Sequence, residues 1–322
     1  MTALSGHEPQ IKISIPAAAS RLLGALRRAG FEAYVVGGCV RDSLLGRTPG
    51  DWDICTSARP EQVRTVFSAY RQILTGEKHG TVAVIVGGTP YEITTYRVDG
   101  QYHDSRHPDA VQFVPQVQPD LARRDFTINA MAYNAAEGLV DPFGGQADLQ
   151  NGLLRAVGEP QQRFTEDALR ILRLYRFAAR FGFALDAATA RAARQLAPHL
   201  DCISAERIQE ELAKLFPEAR VLRMDQDSTA AKDAHEKLLA KFANHEYDIM
   251  VGTQMVAKGL DFEDVTLVGV LGIDSLLFAQ GFRAYENVFS LITQVVGRSG
   301  RAKEPGFAII QTTDPDNPVL TL

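Results

Sequence analysis

Cysteine is scarce in this chain of 322 residues: there are three, Cys39, Cys55 and Cys202. Their spacing fits neither a disulfide framework nor a metal-binding pattern. That excludes a disulfide-stapled secreted domain and predicts a reducing, cytoplasmic setting. No apolar run is long enough to span a bilayer, and the N-terminus lacks the basic-then-apolar pattern of an export signal, so no membrane association is expected. The sequence also has no G-x-x-x-x-G-K followed by Ser or Thr, and no D-E-x-H. A self-contained P-loop motor is thereby excluded. Positive charge is not in excess either: 34 Lys and Arg face 39 Asp and Glu, a net charge of −5. Wholesale electrostatic binding to nucleic acid is therefore excluded, and any such contact must be local. Basic residues do gather between Arg155 and Arg194.

What remains is an ordinary globular composition, 45% apolar and 23% charged, with enough length for two or more cored domains. No internal repeat or low-complexity tract is visible. Residues 17–30 have helical spacing and feed an apolar run, Ala33–Val36, that reads as a buried strand. Val82–Val86 and Glu92–Tyr96 read as a hairpin across Gly87-Gly88. Asp99 to Pro119 is polar, with prolines and histidines, and reads as a mobile loop. From Arg123 the pattern turns helical through Tyr133. Helices then dominate from Thr165 to Leu215, with breaks at Gly182 and Pro198. Beyond Pro217 the character changes: Arg220–Met224, Ile249–Val251, Thr266–Val270 and Phe307–Gln311 read as strands alternating with helices, which predicts a parallel sheet. The expected division is a head at residues 1–150, a helical segment at 151–216 and a second α/β lobe at 217–322.

The most pointed stretch is Gly37-Gly38-Cys39-Val40-Arg41-Asp42, followed by Asp51-Trp52-Asp53. The glycine pair ends the strand, and Ser43-Leu44-Leu45 reads as the start of a helix. Such a turn lets backbone approach a phosphate, and a helix N-terminus favours its negative charge. Asp51 and Asp53 are two apart, so on a following strand both carboxylates would leave the same face. Paired oxygen ligands beside a phosphate cradle suit Mg²⁺-assisted phosphoryl or nucleotidyl transfer. Further on, Asp167, Arg170, Arg173 and Arg176 recur every three residues. Such steps drift by about −60° each and wind the four across a broad helical face. Leu169, Leu172 and Phe177 supply the apolar positions for a core. Ser204, before Glu206 and Arg207, reads as a helix N-cap with a structural role. The histidines His79, His103 and His107 show no ligand spacing.

Taken in order, these motifs resemble the class II tRNA nucleotidyltransferases, the family of bacterial CCA-adding enzymes and poly(A) polymerases. The resemblance covers roughly residues 20–215. GGCVRD with DWD is similar to that family's metal and triphosphate motif. RRDFTINAMAYN, from Arg123, is similar to the motif after its flexible loop, and DPFGGQADLQNGLLRAV to its hinge. RFTEDALRILRLYRFAARFGF is similar to its nucleotide-selecting motif, and ISAERIQEEL to its neck-stabilising motif. The resemblance implies a mixed-sheet α/β head followed by a helical neck. It implies that Asp51 and Asp53 hold Mg²⁺ that activates an RNA 3′-hydroxyl and stabilises pyrophosphate, with Glu92 as third carboxylate. The alternative for Glu92 is a solvated strand-edge glutamate. Gly38, Arg41 and Arg124 would contact the triphosphate, the alternative for Arg124 being an ion pair with Asp125. Asp167 and Arg170 would pair with the base edge of CTP or ATP, since a carboxylate and a guanidinium fork can mimic base-pair hydrogen bonding. Arg173 and Arg176 would neutralise phosphates. The implied partners are CTP, ATP and the 3′ end of a tRNA.

Beyond about Glu210 the resemblance changes owner. FPEARVLRMDQDST, DIMVGTQMVAKGLDFEDVTLVGVLGID and QVVGRSGR resemble the C-terminal motor lobe of the primosomal replication-restart DNA helicase. This implies a truncated RecA-like parallel lobe. In the resembled motif VI, Gln294, Arg298 and Arg301 would face an ATP bound by another lobe, and residual DNA contact is expected. Without a phosphate-binding loop those arginines have no nucleotide to act on. The chain thus reads as a chimera whose activity is CCA-type nucleotide addition. The alternatives are a DNA helicase motor fragment and a chimera with no complete activity.

Overall fold

The computed structural model describes residues 11–100, 111–225, 234–252, 264–278, 283–296 and 306–321. It divides into two compact units. One comprises Met1–Glu166 with Phe181–Thr189, the other Asp167–Arg180 with Ala190–Leu322.

The first unit is built on a seven-stranded mixed sheet. Helix α1 (Ala17–Arg28) buries Ala19, Leu22, Leu23 and Leu26, an i, i+3, i+4, i+7 stripe, and carries Arg27 and Arg28 in its last turn. It leads into β1 (Ala33–Val36), buried at all four positions. Helix α2 (Gly38–Leu44) starts directly after Gly37, five residues earlier than the sequence predicts. Strand β2 (Ile54–Thr56) begins after the two aspartates, so Asp51 and Asp53 precede the strand instead of lying on it. After α3 (Pro60–Val66) come β3 (Gln72–Ile73), β4 (Thr81–Val86) and β5 (Thr89–Thr95). The predicted hairpin is present, with Gly87 and Gly88 both at positive φ in its turn. The expected loop from Asp99 to Pro119 instead has paired arms. β6 (Arg97–Asp99) and β7 (Val111–Phe113) run antiparallel, and α4 (Val117–Ala122) follows. Its middle, residues 101–110, lies outside the described residues.

The predicted helix from Arg123 to Tyr133 does not form. A short 3-10 turn at Thr127–Asn129 leads into β8 (Ala132–Asn134), which pairs with β1 and with β9 (Gly138–Val140). The reason is tertiary. Helix α5 (Gly145–Gln150) packs on this turn so closely that a Cβ at Gly145 would lie 2.2 Å from the Thr127 carbonyl oxygen. The sheet order is β3-β4-β5-β2-β1-β8-β9, with β2–β5 its parallel pair. Strand β10 (Leu153–Leu154) and helix α6 (Pro160–Glu166) follow. Helix α7 (Leu169–Phe181) ends at Gly182, whose φ is 70°. Beyond it β11 (Ala184–Leu185) pairs parallel with β10.

Helix α8 (Ala187–Gln195) and α9 (Ala205–Leu215) are separated by a 3-10 turn that contains Pro198. Ser204 stands at the α9 N-cap, but its side chain makes no capping hydrogen bond there. In the second unit α9 packs on β12 (Val221–Met224) and on its parallel partner β13 (Ile249–Gly252), and α10 (Ala234–Ala243) also contacts β12. A second parallel pair joins β14 (Leu267–Val270) to β15 (Phe307–Ile310). Helices α11 (Asp274–Leu277) and α12 (Ala284–Val296) give it one apolar face, with Ile273, Leu277 and Val288 packed against Val270 and Ile310. The predicted parallel strands are all present. Among the described residues they form two separate pairs.

Candidate functional site

The parallel pairing of β2 with β5 sets the centre of the first unit. Ile54 stands opposite Ile93, so the residues just before them, Asp53 and Glu92, come side by side. The Val36 amide donates to the Asp53 carbonyl at 3.0 Å and holds that residue against β1. Ile54 and Ile93 are buried while Glu92 is exposed, as alternation along a strand requires. Asp53 is largely buried, and its carboxyl is pushed up to about 6. Burial is the main cause, followed by repulsion from Asp51 and from Glu92, while Arg124 opposes the rise. The structure thus brings Asp51, Asp53, Glu92 and Arg124 within electrostatic reach of one another.

Among the described residues no three His, Cys, Asp or Glu side chains stand close enough to cage a metal ion as they are. The carboxylates interact by charge without ligating contact. Backbone placement and the unrelieved repulsion on Asp53 are what fit a hard divalent cation with oxygen ligands, such as Mg²⁺.

The glycine turn beside these carboxylates is stereochemically demanding. Gly37 has φ 77°, and its N–H donates to the Met131 carbonyl at 3.0 Å. A Cβ there would lie 2.8 Å from Nη1 of Arg124, so the glycine is required twice over. Gly38 is the first residue of α2. Arg41 is buried, donating to Asp42 at 2.8 Å and to Asn129 at 2.6 Å, with its guanidinium 5.0 Å from the Phe181 ring centre. Its bond to Asn129 ties the turn to the β8 side of the sheet. Arg124 pairs with Asp120, at 3.6 Å, where the sequence suggested Asp125. Asp125 instead accepts from the Phe126 amide and the Asn129 side chain.

Asp167 does not share a helix with the three arginines as the spacing predicts: it lies in the break between α6 and α7, where α7 begins only at Leu169, and its partner comes from α9. Arg207 donates Nη1 and Nη2 to the two carboxylate oxygens at 3.0 and 2.8 Å, and the Leu169 amide adds a bond of 3.0 Å. A carboxylate has about four acceptor positions, so these bonds fix its plane without exhausting it. Arg170 is buried on α7. Arg173 and Arg176 both reach Glu211, at 3.4 and 2.6 Å, and Arg176 lies 4.2 Å from the Phe177 ring centre. Burial alone would raise the Glu211 carboxyl, but Arg173, Arg176 and Lys214 hold it below the usual range. Ile171 and Leu174 are fully buried on this helix, and Leu172 only in part.

In the sequence Arg207 and Glu211 belong to the neck-like ISAERIQEEL motif, which does not name their partners. Their separation by one helical turn, facing arginines of opposite charge to Glu211, was the available signal. Of the helicase-like residues, Gln294 is exposed on α12 and donates to Ser290 Oγ at 3.2 Å. Arg298 and Arg301 lie outside the described residues.

Comparison with known proteins agrees with both resemblances. Residues 33–155 match the poly A polymerase head domain family, and residues 200–303 match the helicase conserved C-terminal domain family. The first match and the seven-stranded sheet make residues 33–155 similar to the heads of poly A polymerases. More particularly, CCA-adding enzymes of Leuconostoc mesenteroides subsp. mesenteroides and Geobacillus thermodenitrificans are each 50% identical to the chain over 198 and 195 residues. Those stretches are 62% and 61% of this chain and 49% and 48% of the relatives. The chain therefore spans about half the length of the curated relatives it matches. A crystal structure of the Bacillus stearothermophilus CCA-adding enzyme in complex with CTP is 45% identical, with a TM-score of 0.56, over 62% of this chain and 47% of that one. An apo CCA-adding enzyme shares the fold over 90% of this chain and 69% of its own at 23% identity and a TM-score of 0.56. Two family matches on separate stretches bear out the reading of the sequence as a chimera.

Proposed function

We propose that the chain transfers CMP or AMP from CTP or ATP to the 3′-hydroxyl of a tRNA, as CCA addition. The observation that carries this reading is the placement of Asp53 beside Glu92 by the β2–β5 register, where burial first, and then repulsion from Asp51 and Glu92, raise the Asp53 carboxyl. Asp51, Asp53 and Glu92 would hold Mg²⁺, which when bound supplies charge neutralisation to the triphosphate and to the attacking oxygen. The new bond joins the 3′-oxygen to the α-phosphorus, the bond to pyrophosphate breaks and pyrophosphate departs, and the hydroxyl proton passes to solvent. Arg124 would contact the triphosphate from across the Gly37 turn. Gly38 and Arg41 would serve it by shaping that turn, given how Arg41 is engaged by Asp42 and Asn129. Asp167, with its plane set by Arg207, would accept from the base edge, with Arg170 beside it in sequence on α7. Arg173 and Arg176, which share Glu211, would contribute positive potential. Residues 1–150 would then be the head, 151–216 the neck and 217–322 the helicase-like lobe. The three cysteines are free thiols, in keeping with a cytoplasmic setting. Among the described residues no helix is long and apolar enough to cross a membrane.

Incorporation of radiolabelled CTP and ATP into tRNA lacking its 3′ end, with and without Mg²⁺, tests this directly. Label should appear only with the metal, and its absence under both conditions would overturn the proposal. Asp167→Ala should shift the CTP-to-ATP preference by about 1–3 kcal/mol, as for comparable base contacts. An unchanged nucleotide profile would remove Asp167 from base selection. The match of residues 200–303 to the helicase family supports a second reading, a motor fragment. DNA-stimulated ATP hydrolysis by the purified chain would favour the motor, and none is expected, because the sequence supplies no phosphate-binding loop.

A further inference from the structure

One buried group in the first unit is not used by the reading above. Asp120, on α4, has no solvent exposure. Its Oδ1 accepts from the Arg97 amide at 3.2 Å and from Nε and Nη2 of Arg123 at 3.0 and 2.9 Å. Its Oδ2 has no hydrogen-bond partner and faces Nη2 of Arg124 at 3.6 Å, an ion pair without a hydrogen bond. Nε of Arg124 is buried and also lacks a hydrogen-bond partner. A buried carboxylate that served only to stabilise the fold would be expected to close this gap, since unsatisfied buried polar atoms are costly. Here the attraction holds Arg124 in place yet leaves donors of its guanidinium uncommitted. On the other side the same guanidinium lies over Gly37, where even a methyl group would reach to 2.8 Å of Nη1. Arg124 is thus set between a fixed negative charge and a bare stretch of backbone.

We propose that Asp120 is a positioning residue that holds Arg124 across the Gly37 turn, with its donors turned to an incoming triphosphate. The inference rests on the assignment of Arg124 as a triphosphate contact. Asp120 touches no substrate itself and acts through Arg124. Asp120→Asn keeps the shape but turns an amide N–H toward Arg124 in place of a carboxylate oxygen, which releases and repels the guanidinium.

The test is equilibrium titration of the full chain with CTP in the presence of Mg²⁺, on a double-mutant cycle. Asp120→Asn and Arg124→Ala should each weaken CTP binding about tenfold, the low end for a charge-assisted hydrogen bond. The pair together should lose no more than Arg124→Ala alone, because both changes remove one contact. A merely structural role would give losses that multiply, and that result overturns the proposal, as does unchanged binding in Asp120→Asn. If Asp120→Asn does not fold by circular dichroism, Gly37→Ala replaces it in the cycle and displaces Arg124 from the opposite side. It should show the same non-multiplying loss, and undiminished CTP binding in Gly37→Ala would overturn the inference. Failure of the underlying reading looks different. If the unsubstituted chain binds no CTP, nucleotide transfer itself falls. If it does bind and Arg124→Ala binds equally well, the triphosphate role of Arg124 falls, and this inference with it.

Discussion

The seven-stranded sheet of the first unit and the strand pairs of the second use similar residues to different ends. In the first unit, strands rich in valine and isoleucine join one seven-stranded sheet, and Ile54, Val82, Val84 and Ile93 are wholly buried. In the second, equally apolar strands form pairs among the described residues, and one face of the β14–β15 pair leaves Leu267, Phe307 and Ile309 at 59, 66 and 62% exposure. The opposite face of that same pair is packed by α11 and α12. The difference teaches that apolar alternation specifies a strand, while burial of both its faces depends on which other elements the chain provides. A polar site needs the first situation. Asp53 can be held at an uncomfortable charge because the strands beneath it are fully committed.

Four measurements would break or sharpen this comparison. The largest effect is expected for Asp53→Ala, which should lower nucleotide incorporation by about a thousandfold or more, since metal-held charge is worth several kcal/mol in the transition state. Near-normal turnover in that variant would detach the buried sheet from any catalytic role. Next, Ile93→Ala should cost the first unit about 2–5 kcal/mol through the cavity it leaves. Hydrogen exchange of the sheet amides would read this, and a negligible change would mean that the core repacks.

The third concerns charge in the metal-free chain. The Asp53 carboxyl moves from 3.8 to about 6 in the fold, so the folded state binds this proton more tightly than the unfolded chain does. The associated stabilisation is full below about pH 4 and is lost as pH rises through 6. At neutral pH the ionised group therefore burdens the fold by up to about 3 kcal/mol. Asp53→Asn, treated with chelator, should be more stable than the unsubstituted chain at pH 7, and the gap should close near pH 4. Thermal unfolding across that range checks the sign. The smallest effect is expected for Ile309→Ala, within about 0.5 kcal/mol, as for exposed sites without special contacts. A loss comparable to that of Ile93→Ala would show that the exposed face is covered in solution.

Much of this architecture was legible beforehand, for reasons specific to each element. Ala33–Val36 is legible to the residue because the apolar run is bounded by the charged Glu32 on one side and by Gly37 on the other. The Gly87-Gly88 hairpin announced itself through its turn chemistry. The stretch after Arg123 misled because Phe126, Ala130 and Tyr133, at i, i+4 and i+7, mimic helical spacing. Its conformation is decided instead by α5, which arrives from fifteen or more residues away and leaves no mark on local periodicity. The carboxylate pair was legible as a pair, though on the approach to a strand instead of within it. The partners of the arginines were not. That Arg124 meets Asp120, or that Asp167 meets Arg207, follows from where helices are laid down in space, and a charged residue alone does not name its counterpart.

The register of β2 against β5 has a consequence for how this region tolerates insertion and deletion. Because side chains alternate, the meeting of Asp53 and Glu92 depends on parity: an odd shift of β5 turns Glu92 to the opposite face, and an even shift slides it along. Residues added at Gly87-Gly88 fall upstream of that count, where a Cβ on either glycine would meet nothing within 4 Å. The turn can therefore lengthen with little penalty while the register holds. One residue added between Pro90 and Glu92 would leave a hydrogen-bonded sheet with Glu92 facing away from Asp53.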